Sequence, residues 1–434
     1  MNVGFISLGC SKNLVVTEEI IGLFKKNNFK VVDDPEEAEI LVINTCGFID
    51  SAKEEGIQTI LEMAEYKKNK CKYLIVTGCL VQRYLDELKK ELPEVDLFVP
   101  IRDYDLLWNK IMNLVGEKES SQQLDYFDRV LTTGDVMAYL KIAEGCSNYC
   151  TYCAIPYIQG KYVSRDFDEI VAEAKELASK GVQELVVIAQ DTTKYGIDLY
   201  GKPRLVELLK ELEKIKGIKW IRFLYSYPES ITDELISLVK DSKKICHYFD
   251  LPIQHISDDV LRRMNRKSDK ESIYNLITKL RKEIPDVILR TTLIVGFPGE
   301  TEENFDELCD FVKFAKFDRL GAFSYSAEDI TPAASFNNQI EESVKNKRRN
   351  IIMEIQQDIS RNNLKNKVGK EFECMIENIT EDGEYYIGRS YMDVPSEDGV
   401  IYIEFNPEYM INEFVIVKIT ESNEYDLFGK IIDK

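Results

Sequence analysis

Short apolar runs alternate with amphipathic helical stretches from residue 3 to residue 323, and this alternation restricts the fold more than any other feature of the chain. The first block has apolar runs at 3–8, 40–44 and 73–77, followed by helical patterns at 16–27, 51–67 and 82–92. Strand and helix in regular succession predict a parallel α/β layer. A second block has candidate strands at 139–143, 184–189, 220–224, 246–251, 287–293 and 319–323, with helical patterns at 167–179, 205–214, 232–240 and 270–283. Six such units predict a partial (β/α)6 barrel with its chemistry at the C-terminal face. Between the blocks, residues 117–135 are polar and read as a linker. Residues 341–366 form a charged helical pattern whose Lys345, Lys347, Arg348 and Arg349 are expected on a solvated face. From residue 369 the texture becomes short alternating segments with turns at Gly383 and Gly399, which predicts a small β-barrel. The expected organisation is therefore an N-terminal α/β domain (1–116), a linker (117–135), a barrel with a trailing helix (136–366) and a small β-barrel (367–434).

Cysteines stand at the chemically informative points of this pattern. Cys146, Cys150 and Cys153 occur in C-x3-C-x2-C spacing just after the first barrel strand. Three clustered thiolates suit a soft metal, either iron–sulfur or zinc. Zinc sites usually close a tetrahedron with paired ligands, and the next candidates, Cys246 and His247, lie more than ninety residues on. A cluster held by three thiolates keeps one iron without a protein ligand, and that iron can hold a substrate. In the first block Cys10, Cys46 and Cys79 each follow an apolar run. Ligands gather at the carboxyl ends of strands in open α/β sheets, so these three are expected on one rim as a second three-cysteine site. The alternative is three small buried residues in tight turns. Cys71, Cys246, Cys309 and Cys374 lack cluster spacing and read as packing residues.

The chain has ten cysteines and only two histidines, His247 and His255. That argues against a histidine relay or a multi-histidine metal site. Residues 1–10 read as a first strand and not a signal peptide, and no apolar run is long enough to span a bilayer. A cytoplasmic protein with metal-binding or catalytic thiols is expected. The formal net charge is −20, which disfavours nucleic acid and favours a basic protein partner. The last part of the chain, from Leu364, holds seven Lys/Arg against sixteen Asp/Glu. Turn acids there, such as Glu381, Asp382, Glu397 and Asp398, are candidates for steering a basic partner.

Three residues are candidates for a cofactor pocket. Tyr152 offers a flat π face between two clustered cysteines. Gln190 follows the second barrel strand in the run Gln190-Asp191-Thr192-Thr193. Gly296, in a glycine-rich turn ahead of a helix capped near Thr301, allows close backbone approach.

Two cysteine triads and a β-barrel tail in this order resemble the radical methylthiotransferases, whose architecture is an N-terminal cluster domain, a radical-SAM barrel and a C-terminal TRAM domain. The segments 138–146 (AYLKIAEGC), 154–156 (AIP) and 189–201 (AQDTTKYGIDLYG) are similar to the RimO-type branch, as are 388–391 (GRSY), 393–395 (DVP) and 398–399 (DG). The chain departs from that branch at Gln159, where Arg is usual, and at 163–165, where Val-Ser-Arg replaces Arg-Ser-Arg. It departs again at Val394, Ser396 and Glu397, where Ala, Glu and Ile are usual. The resemblance implies two 4Fe-4S clusters and S-adenosyl-L-methionine (SAM) as cofactors. It assigns Cys146, Cys150 and Cys153 to the cluster that cleaves SAM to a 5′-deoxyadenosyl radical. It assigns Cys10, Cys46 and Cys79 to the cluster that carries the transferred sulfur. The implied substrate is the β-carbon of an aspartate in ribosomal small-subunit protein S-twelve, with an electron donor as a further partner. Two alternatives stand beside it. One is the tRNA adenosine-modifying branch (the MiaB type), for which a basic tail is expected. The other is a non-catalytic iron–sulfur RNA-binding or scaffold protein.

Overall fold

The structure, a computed structural model, describes residues 1–117 and 122–432. The chain divides into two compact units. The first comprises residues 1–180 with 188–190 and 326–334, and the second comprises 181–187, 191–325 and 335–434.

In the first unit, β1 (Asn2–Ser7), α1 (Ser11–Lys26), β2 (Lys30–Val31), β3 (Ile40–Thr45), α2 (Asp50–Ala64), β4 (Tyr73–Gly78), α3 (Cys79–Glu91), β5 (Leu97–Pro100) and α4 (Leu107–Val115) follow one another. The strands form one parallel sheet in the order β2-β1-β3-β4-β5. Central strands such as β3 are buried along their whole length, as expected of a parallel sheet covered on both faces. One face packs Leu41, Ile43, Leu74 and Val76 against α2 and α3. The other packs Val3, Val42 and Ile75 against Phe24, Trp108 and Ile111. The sequence pattern missed β2, β5 and α4. These strands are only two and four residues long, and β5 ends in Pro100, so they carry little periodicity.

The same unit continues with β6 (Met137–Lys141), β7 (Ala143–Glu144), α5 (Ile155–Ile158), β8 (Val163–Ser164) and α6 (Phe167–Ser179). Of the expected linker 117–135, residues 118–121 lie outside the described residues. In its remainder Arg129 is buried, while residues 123, 125, 127, 132, 134 and 135 are exposed. Arg129, 5% exposed, reaches Glu18 at 3.1 Å and Glu173 at 3.0 Å and donates to the Tyr139 carbonyl at 2.8 Å. Arg165 joins Glu173 at 2.6 Å. A buried arginine that pairs with two elements makes this stretch part of the fold.

The second unit has β9 (Glu184–Ile188), α7 (Ile197–Tyr200), α8 (Leu205–Glu213), β10 (Trp220–Phe223), α9 (Asp233–Asp241), β11 (Tyr248–Gln254), α10 (Asp258–Arg263), α11 (Lys270–Glu283), β12 (Ile288–Val295), α12 (Glu302–Ala315) and β13 (Arg319–Ser324). β9 pairs β10, and β11, β12 and β13 pair in that order, all parallel. α13 (Glu342–Lys365) then leads into β14 (Glu371–Ile379), β15 (Tyr385–Ser390), β16 (Ile401–Glu404), β17 (Phe414–Ser422) and β18 (Leu427–Ile431). These five strands close into a small barrel, β14-β15-β16-β18-β17, as the alternating tail predicts.

Two expectations about charge are corrected here. The basic run on α13 is a solvated face only in part, with Lys347 exposed and Arg349 half-buried. Lys345 and Arg348 are buried, with Lys345 donating to the Tyr325 carbonyl at 3.0 Å and Arg348 reaching Glu300 and Glu302, each at 2.8 Å. A helical pattern read by charge alone cannot distinguish a wet face from one that meets buried carboxylates. The tail acids are likewise divided. Glu381 and Asp382 are exposed, but the Asp398 side chain is buried, accepting from the Tyr248 hydroxyl at 2.7 Å and the Val394 amide at 2.9 Å. Glu397 pairs with Arg290 at 2.5 Å. These two acids tie the tail to β11 and β12, and Glu397 remains exposed beside Arg290.

The motif 388–399 has the same internal role. Arg389 clasps Glu184 at 2.6 Å and Glu377 at 2.8 Å, and Arg222 meets the same Glu184 at 3.1 Å. Arg222 and Glu184 have no exposed side-chain surface. Burial works to raise the Glu184 pKa, and the two guanidinium groups outweigh it and hold the carboxyl below its usual range. Asp393 pairs with Arg319, and Arg222 also donates to the Tyr391 carbonyl at 2.6 Å.

Candidate active site

The carboxyl ends of β1, β3 and β4 deliver the first triad. Cys10 lies three residues past β1 at the start of α1, Cys46 directly follows β3, and Cys79 is the first residue of α3. Cys10 is exposed, Cys46 half-buried and Cys79 buried. Their closeness depends on Gly9. Its φ is +87°, and a Cβ there would stand 2.7 Å from the Cys46 Cβ. Only glycine takes both the left-handed backbone and the contact without strain.

Asn13, which sequence reasoning overlooked, stitches the rim. Its Nδ2 donates to the Leu8 carbonyl at 3.1 Å and the Thr45 carbonyl at 3.0 Å, and the Cys79 thiol approaches its Oδ1 at 3.8 Å. Asn44 donates back to the Asn13 carbonyl at 2.9 Å. The signal was present in the sequence as a polar residue on the first turn after Cys10, but only the sheet order gives it three partners.

The second triad is local. Gly145 precedes Cys146 at φ +64°, and a Cβ there would strike the Lys161 carbonyl at 2.2 Å. The Cys146 amide donates to the Gly160 carbonyl at 3.1 Å, and the Cys153 amide to that of Cys150 at 3.0 Å. Tyr149, between the first two cysteines, has φ +49°, a conformation that costs a non-glycine residue of order 1 kcal/mol or more and clusters at functional loops. Cys146 and Cys150 are buried, while Cys153 and Tyr152 are half-buried. Tyr149 and Tyr157 are exposed and meet edge-to-face at 6.2 Å.

Within this unit the two triads adjoin. Cys79 shares an apolar cluster with Ala154 and Ile158, flanked by Phe48 and Ile101. Gln159 Nε2 approaches Cys79 Sγ at 3.6 Å, and Gln159 Oε1 accepts from Gln190 Nε2 at 3.0 Å. A cavity of about 50 Å³ lies alongside, lined by Lys12, Asn13, Tyr104, Lys141, Gln159 and Gln190 among others. The segment 326–334 belongs to the same unit. Glu328 meets Arg83 at 2.9 Å and Lys53 at 3.0 Å, Arg83 also donates to the Gly47 carbonyl at 2.7 Å, and the Ala333 amide donates to the Thr151 carbonyl at 2.9 Å.

Gly296 belongs to the second unit. A Cβ there would meet the Lys345 side chain at 2.3 Å, and its amide donates to Glu300 at 2.8 Å. The approach that its lack of a side chain permits is to α13. The four cysteines outside the triads are all buried. His255 has no exposed surface, with Nε2 3.5 Å from Glu300, and His247 pairs with Asp286 at 2.8 Å.

Among the described residues no three His, Cys, Asp or Glu side chains form a ready metal cage. The donor set nonetheless fits an iron–sulfur cluster. Burial first, and then the neighbouring Cys10 and Cys46, push the Cys79 thiol up to about 12, and burial followed by Cys10 raises Cys46. Three crowded thiols become thiolates together only around a cationic group.

Three family models match the chain in succession. The Uncharacterized protein family UPF0004 matches residues 2–100, the Radical SAM superfamily residues 140–312 and a TRAM domain residues 368–432. "Ribosomal protein uS12 methylthiotransferase RimO" of Alkaliphilus oremlandii is 63% identical, with 99% of each chain covered. The protein of the same name from Clostridioides difficile is 52% identical, over 100% of this chain and 99% of that one. The chain belongs to the RimO family. Like other RimO-family members it is a radical-SAM methylthiotransferase, an α/β protein with a small β-barrel at its C-terminal end. Solved structures share the fold. The radical S-adenosylmethionine methyltransferase TsrM of Kitasatospora setae aligns at TM-score 0.56 and 12% identity, covering 76% of each chain. The cobalamin-dependent radical enzyme OxsB aligns at TM-score 0.52 and 12% identity, covering 81% of this chain and 56% of its own. Among the described residues of this RimO-family chain, no helix is long and apolar enough to cross a membrane.

Proposed function

We propose that this chain adds a methylthio group to the β-carbon of an aspartate in ribosomal protein uS12 (the S-twelve protein of the small subunit), in the cytoplasm. The adjacency of the two cysteine triads is the observation that carries this reading. Cys79 of one packs against Ala154 and Ile158, which follow Cys153 of the other in the chain. In this reading Cys146, Cys150 and Cys153 hold one 4Fe-4S cluster and Cys10, Cys46 and Cys79 a second. Tyr152 and Gln190 contribute to the SAM pocket, and the functional domains are 1–116, 136–366 and 367–434. Bound there, the clusters and SAM supply one-electron cleavage and a transferable sulfur, and the protein supplies position and exclusion of water.

The chain's own residues do the rest. Gly9 and Asn13 bring the three rim thiols together. Gly145 and the hydrogen bond from the Cys146 amide to the Gly160 carbonyl fix the loop of the second triad. Ala154, Ile158 and Ile101 keep water from the space behind Cys79. Lys12 lines the adjoining cavity together with Lys141, whose charge is already paired with Glu144 at 2.7 Å.

The test gives the anaerobically reconstituted enzyme uS12 and bulk tRNA side by side, with SAM and a reductant. A mass gain of one methylthio group on an aspartyl peptide of uS12 is the expected result. The same gain on a tRNA adenosine, with uS12 unmodified, defeats the proposal.

A further inference from the structure

The side chain of Gln159 has both ends committed. Its backbone caps α5, with the amide donating to the Ile155 carbonyl at 2.8 Å, so its position is tied to the short helix that follows Cys153. The carboxamide then turns toward the other triad. Oε1 accepts from Gln190 Nε2 at 3.0 Å, and Nε2 stands 3.6 Å from Cys79 Sγ. Gln190 thereby fixes which end of the amide faces the sulfur. With the oxygen engaged, the NH2 group is the one presented to Cys79.

A hydrogen bond to a cluster-ligating sulfur has a defined electronic consequence. The reduced cluster carries one more negative charge, part of which lies on its sulfurs. A donor pointed at a sulfur therefore stabilises the reduced form more than the oxidised form and raises the potential. The surroundings strengthen the effect. Cys79 is buried and packed against Ala154 and Ile158, and an oriented dipole acts more strongly where water is excluded.

We propose that Gln159, oriented by Gln190, is a positioning residue for the Cys79 ligand, and that its hydrogen bond to Sγ raises the reduction potential of the iron–sulfur cluster on Cys10, Cys46 and Cys79. This rests on the assignment of a cluster to that triad. The consequence is a built-in difference between the two clusters, set from a segment that begins at the last cysteine of the other triad. The same amide bridges the radical-forming loop to the sulfur-carrying one.

The experiment is a redox titration of the full-length reconstituted enzyme, followed by electron paramagnetic resonance. The parent is compared with Gln159→Leu, Gln159→Glu and Gln190→Leu. Iron and sulfide are measured on every sample. The wave of the N-terminal cluster is identified by its persistence when Cys146, Cys150 and Cys153 are changed together to Ala. That wave is expected to move to more negative potential in Gln159→Leu and further in Gln159→Glu, which places a carboxylate by the sulfur. It is expected to move less in Gln190→Leu, which only frees the amide to turn. If Gln159→Leu does not load iron, Gln190→Leu decides the matter, since it leaves Gln159 in place. An N-terminal wave at the parent potential in a fully loaded Gln159→Leu, or in Gln190→Leu where that is the deciding variant, overturns the inference alone. If changing Cys10, Cys46 and Cys79 to Ala leaves iron content and both waves intact, there is no cluster on that triad, and the reading beneath the inference falls with it.

Discussion

The cysteine rim of the first unit and the arginine–carboxylate lock of the second both concentrate ionisable groups, and they are resolved in opposite ways. In the lock, Glu184 meets Arg222 and Arg389, Asp393 meets Arg319, and Glu397 meets Arg290. Each acid has a base, and the carboxyl of Glu184 is held ionised. At the rim, Cys10, Cys46 and Cys79 have one another as charged neighbours, and burial with crowding drives the Cys79 thiol up. A paired network is complete by itself and fastens one element to another. A crowd of like acids is a donor set for an added cation. Crowded like groups without opposite charges are the ones here that call for an added cation.

Removing the thiols should show the largest effects. Changing Cys146, Cys150 and Cys153 together to Ala should remove half the iron and abolish 5′-deoxyadenosine formation. Changing Cys10, Cys46 and Cys79 should remove the other half and abolish methylthio product while deoxyadenosine still forms with dithionite. Iron analysis and product chromatography check both, and an N-terminal triple variant with full iron breaks the comparison at its base.

The lock should fail by a different route. Glu184→Gln leaves two buried guanidinium groups without their shared anion and should cost about 3–5 kcal/mol of stability. Urea unfolding measures it, and the iron content of the folded fraction should stay at the parent value. Asp398→Asn, which weakens the hydrogen bonds from the Tyr248 hydroxyl and the Val394 amide, should cost about 1–3 kcal/mol. A loss of iron in either variant, without a loss of stability, would mean that the lock serves the clusters directly.

The smallest expected effect concerns Glu19. Burial, only partly offset by Lys141 at 3.7 Å, pushes its pKa from 4.5 up to about 7. The folded protein therefore holds a proton that the unfolded chain releases between pH 4.5 and 7. Its contribution to stability is present below that window and is lost as the pH rises through it. Glu19→Gln should narrow the difference in melting temperature between pH 5.5 and pH 8. An unchanged difference would show that Lys141 keeps Glu19 ionised throughout.

Much of this architecture was legible in the chain. The helices at Phe167–Ser179 and Lys270–Glu283 end where their periodicity ends, because caps and amphipathic spacing are local. The strands carrying the N-terminal triad were legible as apolar runs. The lock was not, since Glu184 and Arg389 lie 205 residues apart and a lone Glu in an apolar strand carries no sign of its partner. The buried charges of α13 were misread for the same reason.

The sequence by itself determined the α/β alternation, the closed β tail and the compact triad at Cys146, Cys150 and Cys153, because strand pattern, helix pattern and close cysteine spacing are all short-range properties of the chain. Tertiary structure decided what no spacing could encode. The sheet order set Asn13 among Cys10, Cys46 and Cys79, on the rim that the strand pattern already predicts. Packing brought Cys79 against Ala154 and Ile158, and a single amide, Gln159, came to rest between Gln190 and a cysteine eighty residues away. Contacts of that kind depend on which distant surfaces are buried together, and burial is a property of the whole fold.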